Sequence, residues 1–82
     1  MIEIIYAYVM IRMHPGRFDE AISEMQGISG VEKISVVAGK YDIIVRVAVS
    51  DLEELHILSD NIQQTVGVKK TTTHIIEKEI TQ

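Results

Sequence analysis

Two short stretches hold the residues best suited to polar chemistry. The first is Gly39-Lys40-Tyr41-Asp42. A tight turn there presents backbone N–H groups, Asp42 supplies a carboxylate for a ligand ammonium, and Tyr41 supplies a ring to pack on. The second is Thr71-Thr72-Thr73. Strand side chains alternate between faces, so Thr71 and Thr73 share one face and offer two hydroxyls to a ligand carboxylate. Each stretch also has a plainer reading. The turn is equally an ordinary hairpin with a solvated Asp42, and threonine suits any edge strand. Spacing alone favours the plainer reading for both.

The other reactive residue types are scattered. His14, His56 and His74 are the only histidines, and they fall at a helix start, on a helix and on a strand. Zinc needs about four convergent ligands, so no metal site is expected. There is no cysteine, and no serine has a nucleophile elbow or a base beside it. Glu53 and Glu54 read as a charged helix surface rather than a carboxylate pair across a cleft. The four methionines sit at core-like spacing. No catalytic residue and no cofactor is expected.

Composition narrows the partners. The 82 residues suit one domain, 1–82, with a formal charge of −4. Acids and bases are interspersed, and Lys69-Lys70 is the only basic doublet. A nucleic-acid-binding face is normally basic, so direct DNA or RNA binding is not expected. Apolar stretches are too short to span a bilayer. With no cysteine and no signal-type N-terminus, the expected compartment is the cytoplasm.

The elements that must position the two polar stretches follow from periodicity. Residues 2–13 are β-branched and aromatic, and end at the His14-Pro15-Gly16 breaker. Pro15 suits the first position of a helix. Phe18, Ala21, Ile22, Met25 and Ile28 then recur at helical spacing, with Arg17, Asp19, Glu20 and Glu24 facing water. Gly27 and Gly30 stop that helix. Residues 31–37 and 42–49 form a hairpin around Ala38-Gly39-Lys40-Tyr41. Ser50-Asp51-Leu52-Glu53 reads as a capping box, with Ser50 accepting from the Glu53 amide. The second helix carries Leu52, Leu55, Leu58, Ser59 and Ile62 inward and runs out near Gln64. Residues 66–77 form a threonine-rich fourth strand.

The two halves resemble each other. A shift of 37 positions lays Phe18 on Leu55, Ala21 on Leu58, Met25 on Ile62, and Gly30-Val31 on Gly67-Val68. Two βαβ units with right-handed crossovers predict an α+β, ferredoxin-like βαββαβ fold. Its four-stranded antiparallel sheet has strand order 4-1-3-2, with two helices on one face.

That sheet has apolar residues on both sides. Ile4, Tyr6, Tyr8 and Met10 oppose Ile5, Ala7, Val9 and Ile11 on the first strand. Ile43, Val45, Val47 and Val49 oppose Ile44, Arg46 and Ala48 on the third. Two helices cover one face only, and an exposed apolar patch beyond a few hundred Å² is unusual for a monomer. A second copy, sheet against sheet, is the simplest cover and predicts a two-fold dimeric α+β barrel. The alternative is a twisted sheet shielded by its own Tyr and Arg side chains.

Val37-Ala38-Gly39-Lys40-Tyr41-Asp42-Ile43-Ile44-Val45 resembles the hairpin signature of the Lrp/AsnC ligand-binding domain, a Gly-x-Tyr/Phe-Asp turn leading into an apolar strand. Gly67-Val68-Lys69-Lys70-Thr71-Thr72-Thr73-His74-Ile75-Ile76 resembles that family's final strand. Tyr8-Val9-Met10-Ile11 and the Pro15-Gly16 helix start also fit, so the resemblance covers essentially the whole chain. It implies a dimeric barrel that assembles further into tetramers, octamers or rings, with an amino acid or other small effector bound between dimers. Carried over, the site draws on Gly39, Lys40, Tyr41 and Asp42 from the turn and on Thr71 and Thr73 from the last strand. Amides near Gly39 and the hydroxyls would hold the α-carboxylate, and Asp42 the ammonium. Lys40 departs from the pattern, since that position is often acidic or neutral, and a cation there would favour an acidic side chain on the ligand.

Full-length members begin with a helix-turn-helix domain, whereas this sequence starts at the first strand, so DNA reading does not carry over. The resemblance implies a stand-alone effector-binding module, acting through partners or co-assembling with full-length Lrp/AsnC regulators. Two other readings compete. One is a small enzyme on the same barrel, a cofactor-free monooxygenase or a haem-handling protein with His74 as its only obvious ligand. It would need a cavity where Phe18, Ile22, Met25, Leu55 and Ile62 are expected to pack. The other is a structural assembly subunit whose turn binds nothing.

Overall fold

A computed structural model of the chain describes residues 3–82. In chain order the elements are β1 (Ile5–Met13), α1 (Phe18–Gln26), β2 (Val31–Val36), β3 (Ile43–Val49), α2 (Leu52–Gln63) and β4 (Val68–Ile75). The sheet runs β2-β3-β1-β4, and every neighbouring pair is antiparallel. This is the βαββαβ order and strand arrangement that the pattern predicts. The expected strand start at residue 2 lies outside the described residues, and β1 begins at Ile5.

One face of the sheet makes the core. Ala7, Val9 and Ile11 of β1 and Ile43, Val45 and Val47 of β3 are fully buried, and Ala21, Met25, Leu58 and Ile62 of the helices close over them. Their burial is the main stabilising term, because apolar area leaves water while the polar helix faces stay wet. The two central strands carry the most apolar residues and supply most of this layer.

The internal repeat is realised in three dimensions. Ala21 and Leu58 are both buried, as are Met25 and Ile62. Gly30 and Gly67 both hold positive φ, at 96° and 79°, where a side chain would be strained. A Cβ on Gly30 would also come within 2.8 Å of the Leu58 side chain and 3.0 Å of the Ala48 carbonyl. The likeness extends one step further. Each edge strand shifts register just after the Gly-Val pair, leaving Glu32 and Lys69 as extra residues at positions related by the same offset. Bulges of this kind blunt exposed edges against unwanted pairing.

Both helix starts differ from expectation by a few residues. Pro15 is not in the first helix: Gly16 at φ 94° intervenes, and α1 starts at Phe18. In α2 the cap is Asp51, whose side chain accepts from the Glu54 N–H at 2.8 Å, while the Glu54 carboxylate accepts from the Ser50 N–H at 3.0 Å. The box predicted on Ser50 and Glu53 is therefore shifted by one position, since Asp51 and Glu54 have the same spacing and a carboxylate is the stronger acceptor. Leu52, expected inward, is 61% exposed.

The face away from the helices is more polar than alternation suggests. In cross-strand register His74, Tyr8, Arg46 and Lys33 form one row across all four strands. The Arg46 guanidinium lies over the Tyr6 ring, 4.4 Å from its centroid. It pairs with Glu32 on one side and with Glu79 at 2.6 Å on the other.

Candidate functional site

The β2–β3 connection is closed by backbone and side chain together. The Val37 N–H donates to the Asp42 carbonyl at 2.9 Å, and the Asp42 N–H donates to the Ile11 carbonyl at 2.9 Å. The Asp42 carboxylate then accepts from the Met13 N–H at 2.7 Å. Asp42 thus holds the turn against the end of β1, with one of its two carboxylate oxygens committed to the backbone. Gly39 holds φ 146°, and nothing lies within 4 Å of where its Cβ would be. Lys40 is exposed and sits 5.9 Å from the centroid of the half-buried Tyr41 ring.

Thr71 and Thr73 lie on the helix-facing side of β4, paired with Ile11 and Val9. Their hydroxyls meet α2: Thr71 donates to the Gln63 side-chain oxygen at 3.0 Å, and Thr73 shares a hydrogen bond with Ser59 at 3.1 Å. Thr72 pairs with Met10 on the opposite face. Gln63 and Ser59 therefore join the polar residues at this edge. Ser59 was legible as an inward helix position, whereas nothing in the sequence singles out Gln63.

The structure brings turn and threonines to the same end of the sheet without joining them. Thr71 stands across Ile11 from Ile43, the residue after Asp42. Their strands are two interstrand spacings apart, roughly 10 Å, with the end of β1 between. Three open depressions of about 410, 320 and 340 Å³ lie elsewhere, and none is lined by the turn, Thr71 or Thr73.

Electrostatics single out a second place. On the free face, Glu79 accepts from the Tyr8 hydroxyl at 3.0 Å and from Arg46. Hydrogen bonds from Arg46 and then Tyr8 hold the Glu79 carboxyl below its ordinary range, with Lys33 adding to the effect. The same pairing pushes the Arg46 guanidinium up. Arg46 was visible as a lone charge in an apolar strand. Its partner Glu79, which follows β4 outside any strand or helix, gave no sequence signal.

The histidines stay apart: His56 faces Asp60 on the exposed side of α2 at 3.4 Å, and His74 sits in the free-face row. Among the described residues, no group of three or more His, Cys, Asp or Glu side chains is placed to hold a metal ion. The helix–sheet layer is filled by apolar side chains. Among the described residues the one buried polar residue, Thr65, donates to the Asn61 carbonyl at 3.1 Å.

A four-stranded antiparallel sheet under two helices in βαββαβ order defines a ferredoxin-like α+β domain. The chain belongs to the Lrp/AsnC ligand-binding domain family, whose model matches residues 6–82. It is similar in structure to TTHA0845 from Thermus thermophilus, with TM-score 0.83, 26% identity, and coverage of 95% of this chain and 99% of that one. It is also similar to a feast or famine regulatory protein from M. tuberculosis complexed with L-methionine, with TM-score 0.79 and 26% identity, covering 95% of this chain and 53% of that one. Among curated relatives, homocitrate synthase from Saccharolobus solfataricus is 36% identical over 53 residues, or 65% of this chain and 12% of the enzyme. The homocitrate synthase from Sulfurisphaera tokodaii is 29% identical over 79 residues, or 95% of this chain and 17% of the enzyme. The chain therefore spans less than a fifth of the length of these enzymes.

Proposed function

We propose that the chain is an effector-binding module of the Lrp/AsnC regulator type that holds an amino acid where subunits meet, and that it carries no catalytic activity of its own. The observation behind this reading is the roughly 10 Å between the Gly39–Asp42 turn and the Thr71–Thr73 edge. An α-amino acid bears its carboxylate and ammonium on one carbon, too close together to reach both clusters within one protomer. A neighbouring subunit that brings its own turn or last strand alongside removes the gap. Gly39 amides and the Thr71 and Thr73 hydroxyls then take the carboxylate, and the uncommitted oxygen of Asp42 takes the ammonium. Lys40 at the rim favours an acidic side chain on the ligand.

The assembly in this reading begins with a sheet-on-sheet homodimer and extends to a tetramer, octamer or ring. It works alone or with full-length regulators, in the cytoplasm. The M. tuberculosis regulator complexed with L-methionine supports the choice of ligand class. The homocitrate synthases support portability, because a stretch resembling this chain makes up 12–17% of a much longer enzyme. An enzymatic role for this chain has less support, since the layer where a substrate would sit is packed with apolar side chains.

Thermal unfolding in the presence of each of the twenty amino acids tests the proposal. A ligand at a hundred times its Kd stabilises by about 2.7 kcal/mol, or a Tm shift on the order of 10 °C or more for a domain this size. If no amino acid moves Tm at millimolar concentration, the effector reading fails and a purely structural subunit remains.

A further inference from the structure

Residues 76–82 belong to no strand, yet Glu79 among them reaches the free face of the sheet. The last ladder contact is the Ile76 N–H donating to the Tyr6 carbonyl at 2.8 Å. Ile75 pairs with Ala7, so a straight continuation would carry Glu79 past the start of β1. Glu79 instead reaches Tyr8 and Arg46, well inside the free face. Both of its carboxylate oxygens are engaged there, one by the Tyr8 hydroxyl and one by the guanidinium.

We propose that residues 76–82 are a releasable strap, clasped through Glu79 onto Tyr8 and Arg46, and that its release opens the free face of the sheet to a second copy of this chain. Two sheets pack face to face about 10 Å apart, which leaves about 5 Å for the side chains of each. A carboxylate lying on the tip of Tyr8, with its backbone behind it, occupies the partner's share of that space. Strap and partner sheet therefore exclude each other over Tyr8 and Arg46.

The cluster is built so that opening leaves no orphan charge. Arg46 retains Glu32 and the Tyr6 ring when Glu79 leaves. The Glu79 side chain is 41% exposed, and partly exposed ion pairs are weak enough to exchange with water. Closed, the strap lies on Tyr8 and Arg46 at the centre of that face. Open, it leaves a charge-compensated centre on that face, which a facing sheet covers without burying an unpaired ion.

The guarding role rests on the reading that this face meets a second copy, whereas the clasp does not. Two measurements on the full-length chain separate them. The first is the rate of tryptic cleavage after Lys78, divided by the rate in a free peptide of residues 74–82 of matching sequence. The second is the dimer dissociation constant from sedimentation equilibrium. E79Q should raise the normalised cleavage rate several-fold and tighten the dimer several-fold. E32Q, which neutralises the other partner of Arg46, should leave both near wild type. Unchanged normalised cleavage in E79Q overturns the clasp. Faster cleavage with an equally tight or weaker dimer overturns the guarding role alone. Monomers in both forms overturn it together with the assembly reading.

Discussion

The Asp42 carboxylate accepts a 2.7 Å hydrogen bond from the Met13 backbone N–H, so the residue closing the β2–β3 turn also satisfies the last donor of β1. A D42A variant leaves that partly buried N–H unpaired and should cost roughly 1–3 kcal/mol. D42N keeps an oxygen in place and should cost clearly less. Urea midpoints at unchanged m value read the difference. A D42A loss within about 0.5 kcal/mol, the usual range for a surface site, would mean that Asp42 does not pin the turn.

The shifted cap of α2 gives a paired comparison. Asp51 accepts from the Glu54 N–H through its side chain, whereas Ser50 contributes only its own N–H. D51A should therefore lose about 1 kcal/mol, within the 0.5–2 range for N-cap removal, and S50A little. Equal losses in denaturant melts would put the cap back on Ser50.

These two sites show what the sequence can and cannot resolve. The order βαββαβ, the helix stripe through Ala21 and Met25, and the 37-residue offset were all readable, because each rests on apolar periodicity that the fold must satisfy. The matching bulges at Glu32 and Lys69 obey the same offset but were not readable, because periodicity does not distinguish a bulged residue from a paired one. The cap moved because Ser50/Glu53 and Asp51/Glu54 have identical spacing, and strand end and acceptor strength decide between them. The candidate turn and threonines were legible as residue types. Their separation by the end of β1 was not, since it depends on register between strands distant in sequence. Glu79 was invisible for the same reason: its contacts to Tyr8 and Arg46 span 71 and 33 positions.

Gly30 and Gly39 separate backbone strain from packing. Both hold positive φ, but a Cβ at Gly30 collides with Leu58 and the Ala48 carbonyl, whereas one at Gly39 meets nothing. G39A should cost only the strain of a left-handed non-glycine residue, about 1–3 kcal/mol. G30A adds overpacking of a further 1–3 kcal/mol or so. Chemical denaturation of both variants should rank them in that order; the reverse ranking would contradict the packing around Gly30.

The last strand offers a test of the site that leaves the fold intact. T71V and T73V keep β-branched side chains on an edge strand and lose hydroxyls bonded to Gln63 and Ser59. Each should stay within about 0.5 kcal/mol of wild type without ligand. Removing a hydroxyl that donates to a ligand carboxylate costs roughly 1.5–3 kcal/mol, so affinity for the effector found by thermal shift should fall at least about ten-fold. Unchanged affinity by calorimetry in both variants would remove the threonines from the site.

The Glu79 clasp predicts a pH dependence whose sign follows from its partners. Glu79 is faced by Arg46 from β3, Tyr8 from β1, and Lys33 and Glu32 from β2, with His74 of β4 in the same row. Arg46 and Tyr8 depress its pKa in the folded chain. The stability it contributes is therefore fully present above the unfolded value of about 4.3 and is lost as pH falls through the lower folded value. The difference in unfolding free energy between wild type and E79Q should be constant from neutrality to about pH 5, shrink below about 4.3, and vanish once Glu79 is protonated in both states. A difference that grows on acidification would require a raised folded pKa, contrary to a carboxylate clasped by a guanidinium.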